Sequence, residues 1–148
     1  MTPQLALTVL VEDTTLSDRA FESEAGLSFF IETAGKKCLF DTGLSGLFLT
    51  NAEKMGISLR DLDYLVLSHG HNDHTGGLAT LARHLARTIP EGSQPRVPQL
   101  IAHPRCFWQK EKEGRINGSP VSEEEVRRQF PLNLSEKPVW ITDDLAFL

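Results

Sequence analysis

Cysteine is scarce in this chain: Cys38 and Cys106 are the only two in 148 residues, too few for a disulfide framework. Both read as reduced thiols of a cytosolic protein, and Cys38, opening an apolar strand, as core packing. No apolar run approaches the ~20 residues that span a bilayer, so no membrane partner is expected. The stretch from Met1 to Val11 has no basic region and stops at Glu12-Asp13, which argues against a secretory signal and for a cytoplasmic protein. Cationic residues are outnumbered, 15 Lys and Arg against 20 Asp and Glu, for a net charge of −5. A nucleic-acid surface would want clustered Lys and Arg, so no nucleic-acid partner is expected either. The chain has no P-loop, no Rossmann fingerprint and no Gly-x-Ser-x-Gly elbow, and no internal repeat or low-complexity segment. What remains is ordinary: 40% hydrophobic and 24% charged residues, the balance of a soluble domain long enough for one core and not two.

Short apolar runs separated by turn signals set the expected elements. Leu5 to Val11 (LALTVLV) is a nearly continuous β-prone run, the pattern of a buried strand. Glu12 to Gly26 is polar and acidic without a clear period, a long surface loop. Leu27 to Thr33 and Lys37 to Phe40 flank Ala34-Gly35-Lys36 and predict a hairpin. Leu44, Leu47, Phe48, Ala52 and Met55 recur at helical spacing, with Gly56 where a C-terminal cap belongs. Tyr64 to Leu67 is a short strand, preceded by Asp61 and Asp63, which read as turn caps. Leu78, Leu81, Ala82 and Leu85 share one face of a helix spanning Thr75 to Arg87. Pro90 to Pro98 is a Gly/Pro-rich loop, Leu100 to His103 a strand, and Pro104 to Lys110 the start of a helix. Ser122-Glu123-Glu124-Glu125 resembles a capping box on a helix reaching Gln129. Val139 to Thr142 and Leu145 to Leu148 predict a final hairpin turning at Asp143-Asp144. Hairpins early and strand–helix alternation later imply a mixed sheet with helices against a face, an α/β layered domain. Ala146-Phe147-Leu148 is apolar and stops in mid-strand. The expectation is one domain over 1–148, truncated or incomplete at its C-terminus.

The chemistry is concentrated in Ser68-His69-Gly70-His71-Asn72-Asp73-His74-Thr75-Gly76-Gly77. Three imidazoles and a carboxylate fall within six consecutive residues, in the order His-x-His-x-Asp-His. Neutral imidazole and carboxylate are ligands that Zn²⁺, Fe and Mn²⁺ accept, with Zn²⁺ the first choice. The loop follows an apolar strand, so the sheet fixes its backbone while the loop aims the side chains. Gly70 permits a tight bend that lets His69 and His71 converge on one ion, while Asp73 and His74, after the bend, can face a second. Capping the following helix would need one polar side chain, not four. A structural zinc would be closed by Cys-rich ligands, and no Cys lies nearby. The set fits a catalytic divalent metal with open positions, which generates hydroxide at neutral pH and stabilises negative charge on the group attacked.

With these residues in view, the sequence resembles the metallo-β-lactamase superfamily, whose signature is the His-x-His-x-Asp-His loop. Leu39-Phe40-Asp41-Thr42-Gly43 is similar to that superfamily's upstream Asp-Thr-Gly motif. The resemblance implies that His69 and His71 bind the first metal, that Asp73 and His74 bind the second, and that Asp41 braces the loop from behind. It further implies an αββα sandwich of two pseudo-symmetric βα halves with two ions between them. The chain resembles the first half plus part of the second. LTVLVEDTT, GLSFFIET, LFDTGLSG, LVLSHGHNDHTGG, AHP and SEKPV run in the order of a subgroup. That subgroup includes the 7,8-dihydropterin-6-yl-methyl-4-(β-D-ribofuranosyl)aminobenzene 5′-phosphate synthases and related hydrolase-like proteins. Family members draw further ligands from their second half. Here only His84 and His103 follow the motif, and neither matches a later family ligand.

His84 lies on the shoulder of an apolar helical face and reads as solvated. His103 ends a strand at the rim of the cluster, as a substrate contact or as a His bonded to its own loop. Arg105, Lys110, Lys112 and Arg115, interleaved with Glu111 and Glu113, read as a solvated mixed-charge surface with a phosphate patch as the alternative. Phe107 and Trp108 read as packing onto the sheet, with a ring-binding pocket as the alternative. Two functions follow. One is an enzyme, a metal-dependent hydrolase or pterin-related transferase acting on a phosphate- or ester-containing small molecule, with Asp73 as ligand and proton acceptor and pyrophosphate a leaving group for the transferase. The other is a non-enzymatic half-domain that binds metal weakly or needs a partner chain. Such a half should expose an apolar face and associate, as a homodimer or with a missing C-terminal half.

Overall fold

A computed structural model describes residues 4–14, 20–87, 92 and 96–148. Six strands form one sheet in the order β1-β2-β3-β4-β5-β8. The first three, β1 (Leu5–Val11), β2 (Ser28–Thr33) and β3 (Lys36–Phe40), are antiparallel neighbours. The β2–β3 turn is the predicted hairpin. Ala34 and Gly35 adopt φ of 47° and 74°, the left-handed pair of a two-residue turn whose twist matches the strands. From β3 onward the sheet is parallel, through β4 (Tyr64–Val66), β5 (Gln99–Ala102) and β8 (Leu132–Leu134). Parallel pairing needs crossovers, which the helices supply.

The first crossover carries α1 (Leu47–Lys54). It ends at Gly56, φ 71°, with the Gly56 N–H bonded to the Glu53 carbonyl and the Ile57 N–H to the Ala52 carbonyl; this glycine cap closes the helix where the sequence places it. The second carries α2 (Asn72–Thr75) and α3 (Leu78–Ala86), so the expected Thr75–Arg87 helix starts later. The metal-ligand motif itself folds into a separate turn before Gly76-Gly77. α4 (Glu123–Arg127) carries the predicted capping box, with Ser122 and Glu125 bonded reciprocally. Two small hairpins complete the chain, β6 (Glu111–Lys112) with β7 (Arg115–Ile116), and β9 (Val139–Thr142) with β10 (Leu145–Phe147).

The helices cover one face of the sheet. Leu39, Leu65 and Leu100 pack there against Phe48, Leu78 and Leu81, all buried. The alternating residues Cys38, Val66 and Ile101 face the other way, under Ile141 of the C-terminal hairpin. That hairpin covers only part of the second face. β1 is therefore not the buried strand expected from its composition. It is the edge strand, and Leu5, Leu7 and Val9 are 57%, 50% and 43% exposed. Their register opposite Thr33, Ile31 and Phe29 makes them a continuation of the second apolar face, beyond the reach of the hairpin. Only Leu10 and Val11, past a register shift, turn into the core.

Pro104–Lys110 is a turn, not a helix. The Lys110 Nζ donates to the carbonyls of Arg105, Cys106 and Trp108 at 3.2, 3.1 and 3.1 Å. A side chain thus satisfies acceptors that a helix would have given to backbone N–H groups. The Pro90–Pro98 loop lies largely outside the described residues. Among the described residues, no helix is long and apolar enough to cross a membrane.

Candidate metal centre

The register of β3 and β4 builds the site. Phe40 pairs with Val66, and the Asp41 N–H bonds to the Val66 carbonyl at 2.8 Å. Asp41 and Ser68 therefore leave the same rim of the sheet side by side. Asp41 adopts φ 59°, a left-handed conformation that Asp tolerates better than most residues. Its carboxylate is fully buried, which demands partners. It has them: Oδ1 accepts the Ser68 N–H at 2.8 Å, and Oδ2 accepts the Ser68 hydroxyl at 2.6 Å and faces His74 Nδ1 at 2.7 Å.

This network assigns the imidazole tautomers. With its proton on Asp41, the Ser68 hydroxyl accepts from His69 Nδ1 at 2.9 Å, leaving the His69 Nε2 lone pair free. The same logic puts the His74 proton on Nδ1 and its lone pair on Nε2. One carboxylate thus orients two rings, His74 directly and His69 through Ser68. His69 Nε2 lies 3.0 Å from His71 Nδ1, and Asp73 offers a carboxylate oxygen nearby. The ligand atoms of His69, His71 and Asp73 lie within 4.8 Å of one another. The His74 ring packs 4.2 Å from that of His69, with Nε2 3.8 Å from Asp73 Oδ2. Burial and then the neighbouring His74 and His71 push the His69 pKa down, which favours the neutral ring that binds metal. All four motif residues are thus gathered, three as a compact triad and His74 beside it on Asp41.

Close backbone packing holds the loop. A Cβ on Gly70 would lie 1.6 Å from the Cys106 carbonyl oxygen, and one on Gly26 would lie 1.7 Å from that of Asp73. Gly76 and Gly77 likewise press on the carbonyls of Leu44 and Thr42. Thr42 bonds back to the His74 carbonyl through its N–H at 2.8 Å and its hydroxyl at 3.1 Å. Glu24 bonds the Leu44 and Ser45 N–H groups. The segment just after β7 reaches the loop, through an isolated bridge between His71 and Gly118 and the Asn72 N–H on the Asn117 carbonyl at 2.9 Å. Glu24 and Gly26 sit in the segment read as surface loop, and nothing in the sequence marks them as supports of the site. Ser68 and Thr42 lay inside quoted motifs, and their roles depend on the register.

His103 is not drawn into the cluster. Its Nδ1 accepts the Arg105 N–H at 3.1 Å and its Nε2 lies 3.9 Å from Glu136, and the ring lines a cavity together with Ser68. His84, on α3, is half-buried rather than solvated. Phe107 is buried as expected, whereas Trp108 is 60% exposed with Arg105 stacked over its ring at 5.0 Å. Asp61 and Asp63 pair with Lys37 and Arg96; Asp63 also accepts the Lys37 N–H at 2.9 Å.

Sequence and structure comparisons give the family and the fold. The family model of the metallo-beta-lactamase superfamily matches residues 23–143. The 7,8-dihydropterin-6-methyl-4-(beta-D-ribofuranosyl)-aminobenzene-5'-phosphate synthase of Methanocaldococcus jannaschii is 35% identical over 103 residues, 66% of this chain and 32% of that protein. The uncharacterized protein MJ0448 of the same organism is 29% identical over 93% of this chain and 50% of its own length. The crystal structure of Tm1679, a metal-dependent hydrolase of the beta-lactamase superfamily, superposes with a TM-score of 0.70 at 28% identity. That match covers 97% of this chain and 47% of the other. The chain belongs to the metallo-beta-lactamase superfamily. It spans half or less of the length of each of these three proteins.

Proposed function

We propose that the chain is the ligand-bearing half of a metal-dependent enzyme acting on a phosphate- or ester-containing small molecule. The observation that carries this reading is the approach of His69 Nε2 to His71 Nδ1 at 3.0 Å, with an Asp73 oxygen in the same 4.8 Å group. The donor set fits a divalent ion: imidazoles and a carboxylate, with the Nδ1 atoms of His69 and His74 held from behind by Ser68 and Asp41. His69 and His71 would hold one ion, and Asp73 with His74 would hold a second in the complete fold. Zn²⁺ is the first candidate, with Fe and Mn²⁺ as alternatives. A divalent ion bound there supplies Lewis acidity, acidifying water and neutralising negative charge on the attacked or departing group.

The protein's own part is positioning and proton handling. Asp41 and Ser68 fix which nitrogen of each imidazole carries the proton and aim the two rings. Asp73, partly exposed, would take a proton from the attacking nucleophile through a carboxylate oxygen. Similarity to the pterin synthase points to a pterin-related transfer with pyrophosphate as the leaving group. Protein purified without added metal should carry a divalent ion by elemental analysis, and a His69→Ala/His71→Ala double variant should carry none. Unchanged metal content in that variant overturns the ligand assignment.

A second reading is favoured by exposed Leu5, Leu7 and Val9: a half-domain that works only when this apolar face is covered by a second copy or a C-terminal half. Phosphodiesterase activity of the zinc-loaded chain on bis(4-nitrophenyl) phosphate separates the two. Turnover by the monomer supports the enzyme, and metal binding without turnover supports the half-domain.

A further inference from the structure

The β4 and β5 strands run parallel, so the loops that follow them leave the same rim and meet there. Gly70, after β4, is buried and sits between two candidate ligands, His69 and His71. The turn after β5 presses on it: a Cβ at Gly70 would lie 1.6 Å from the Cys106 carbonyl oxygen and 2.7 Å from the Lys110 Nζ. Cys106 and Phe107 anchor that turn in the core, 3% and 7% exposed. We propose that Lys110 is a positioning residue of the metal centre. Its ammonium folds the turn into the shape that fixes Gly70, and with it the spacing of His69 and His71, a role that rests on the metal-dependent reading above.

The ammonium is fully engaged. Its three N–H groups meet three carbonyls, those of Arg105, Cys106 and Trp108, at 3.2, 3.1 and 3.1 Å. Lys110 is half-buried and forms no ion pair among the described residues, unlike Lys36, Lys37 and Lys54. Withdrawing a charge from water is costly, and here neutral carbonyls alone answer it. The backbone of the same residue reaches the loop from another side. The Lys110 carbonyl accepts the Asn117 N–H at 3.0 Å, and the Asn117 carbonyl accepts the Asn72 N–H at 2.9 Å, next to the His71–Gly118 bridge. One residue thus grips the ligand loop twice, through its side chain at Gly70 and through its backbone at His71 and Asn72. Charge and position act on zinc affinity in opposite directions. An ammonium near a dication repels it, so removing a lysine that acted by charge alone would tighten zinc. Removing one that shapes the loop weakens it.

Chelator competition against Zn²⁺ on wild type, Lys110→Met and Lys110→Ala reads that sign. Both variants should bind zinc at least about tenfold more weakly, the scale of lost support behind metal ligands. n-Propylammonium, the fragment that Lys110→Ala lacks, should restore most of the affinity, whereas tetramethylammonium, with no N–H to donate, should restore none. A lysine that served stability alone would lower the urea midpoint and leave the zinc affinity of the folded protein unchanged. Amide exchange in metal-free protein needs no ion. Asn72 and Asn117 should exchange at least about tenfold faster in Lys110→Met, while Leu100, bonded to the Pro131 carbonyl in the core, keeps its rate. Unchanged or tighter zinc binding in the folded variants, rescue by neither cation or by both equally, or unchanged exchange overturns the role. If neither variant folds, wild type still decides: the Lys110 Nζ resonance should shift on adding zinc, and one that stays in place rejects the role. Wild-type protein that takes up no zinc defeats the metal reading instead. The exchange comparison then judges the grip on the loop by itself, faster exchange supporting it and unchanged exchange rejecting it.

Discussion

Replacing Asp41 with Asn separates what its carboxylate does from what its backbone does. The buried carboxylate receives the Ser68 N–H, the Ser68 hydroxyl and the His74 ring at 2.8, 2.6 and 2.7 Å. An Asn amide keeps one acceptor and presents an NH₂ to a group that also donates. One charge-assisted bond is lost, a cost of about 1.5–3 kcal/mol. Asn also tolerates the left-handed φ of 59°, so Asp41→Asn adds no backbone strain. Asp41→Ala loses all three bonds and pays a further ~1–2 kcal/mol for the left-handed conformation. The two variants should therefore differ in urea midpoint, Ala below Asn, while both loosen His69 and His74. Removing a group that orients metal-ligating histidines typically weakens metal affinity about 10–100-fold. Chelator competition against Zn²⁺ measures this directly, and Ser68→Ala should weaken binding too, through His69. Zinc affinity within twofold of wild type in Asp41→Asn would refute the claim that this carboxylate aims the ligands. Equal stability of the Asn and Ala variants would refute the backbone argument.

Burial pushes the thiols of Cys38 and Cys106 up to about 11 and about 12, so neither should react with Ellman's reagent at pH 8 until the protein is unfolded; a native-state thiol titre sinks this reading. Gly70→Ala would thrust a Cβ to 1.6 Å from the Cys106 carbonyl oxygen and should weaken zinc binding at least about tenfold, on the scale of lost ligand support. Gly35→Ala, where nothing lies within 4 Å, should cost only ~1–2 kcal/mol of left-handed strain and leave zinc binding alone. Burial raises the Asp63 carboxyl, but its bond from the Lys37 N–H and the charges of Arg96 and Lys36 outweigh this and leave it lowered. A depressed carboxyl stabilises the fold above the ordinary carboxylate range and loses that contribution as pH falls through its folded pKa. The Tm gap between wild type and Asp63→Asn should therefore be widest near neutrality and close in acid; a gap constant from pH 7 to pH 3 contradicts the assignment. Leu5, Leu7 and Val9 should drive association of the isolated chain at micromolar concentration, and Leu7→Glu should return it to monomer in sedimentation; a wild-type monomer at that concentration rules the association out.

Local signals carried much of the fold. The β2–β3 turn, the Gly56 cap and the Ser122 capping box were legible because each depends on a few adjacent residues whose side chains or φ angles dictate the conformation. The gathering of His69, His71 and Asp73 was legible for the same reason, since the three are nearly contiguous. What the sequence hid depends on partners far along the chain. Leu5 to Val11 reads as buried because its composition is apolar, yet burial of a strand is decided by its place in the sheet, and β1 is at the edge. Pro104–Lys110 reads as the start of a helix, but the Lys110 ammonium takes up three carbonyls there. The supports of the site, Glu24 and Gly26, act by hydrogen bonds to Leu44 and Ser45 and by close packing on Asp73, and no local pattern announces a contact of that range.

The placement of the site follows from one change in the sheet. Up to β3 the strands are antiparallel, and β4 joins β3 in parallel. Two consecutive parallel strands send both following loops out of the same rim, which an antiparallel pair cannot do. The loop after β3 supplies the buried Asp41, and the loop after β4 supplies Ser68 and the three histidines. Their adjacency is set by the Phe40–Val66 register and locked by the Asp41–Val66 backbone bond. A one-residue slip between β3 and β4 would turn every side chain of one strand to the opposite face. It would move Leu39 out of the helix-covered core and Cys38 into it, and carry Asp41 away from Ser68. The apolar alternation that builds the core therefore also fixes the ligands, so core variants that disturb this register should lose metal before they lose helix content. Circular dichroism and chelator competition on Leu39→Ala and Leu65→Ala would show the order. Helix loss preceding zinc loss would break the link between core and site.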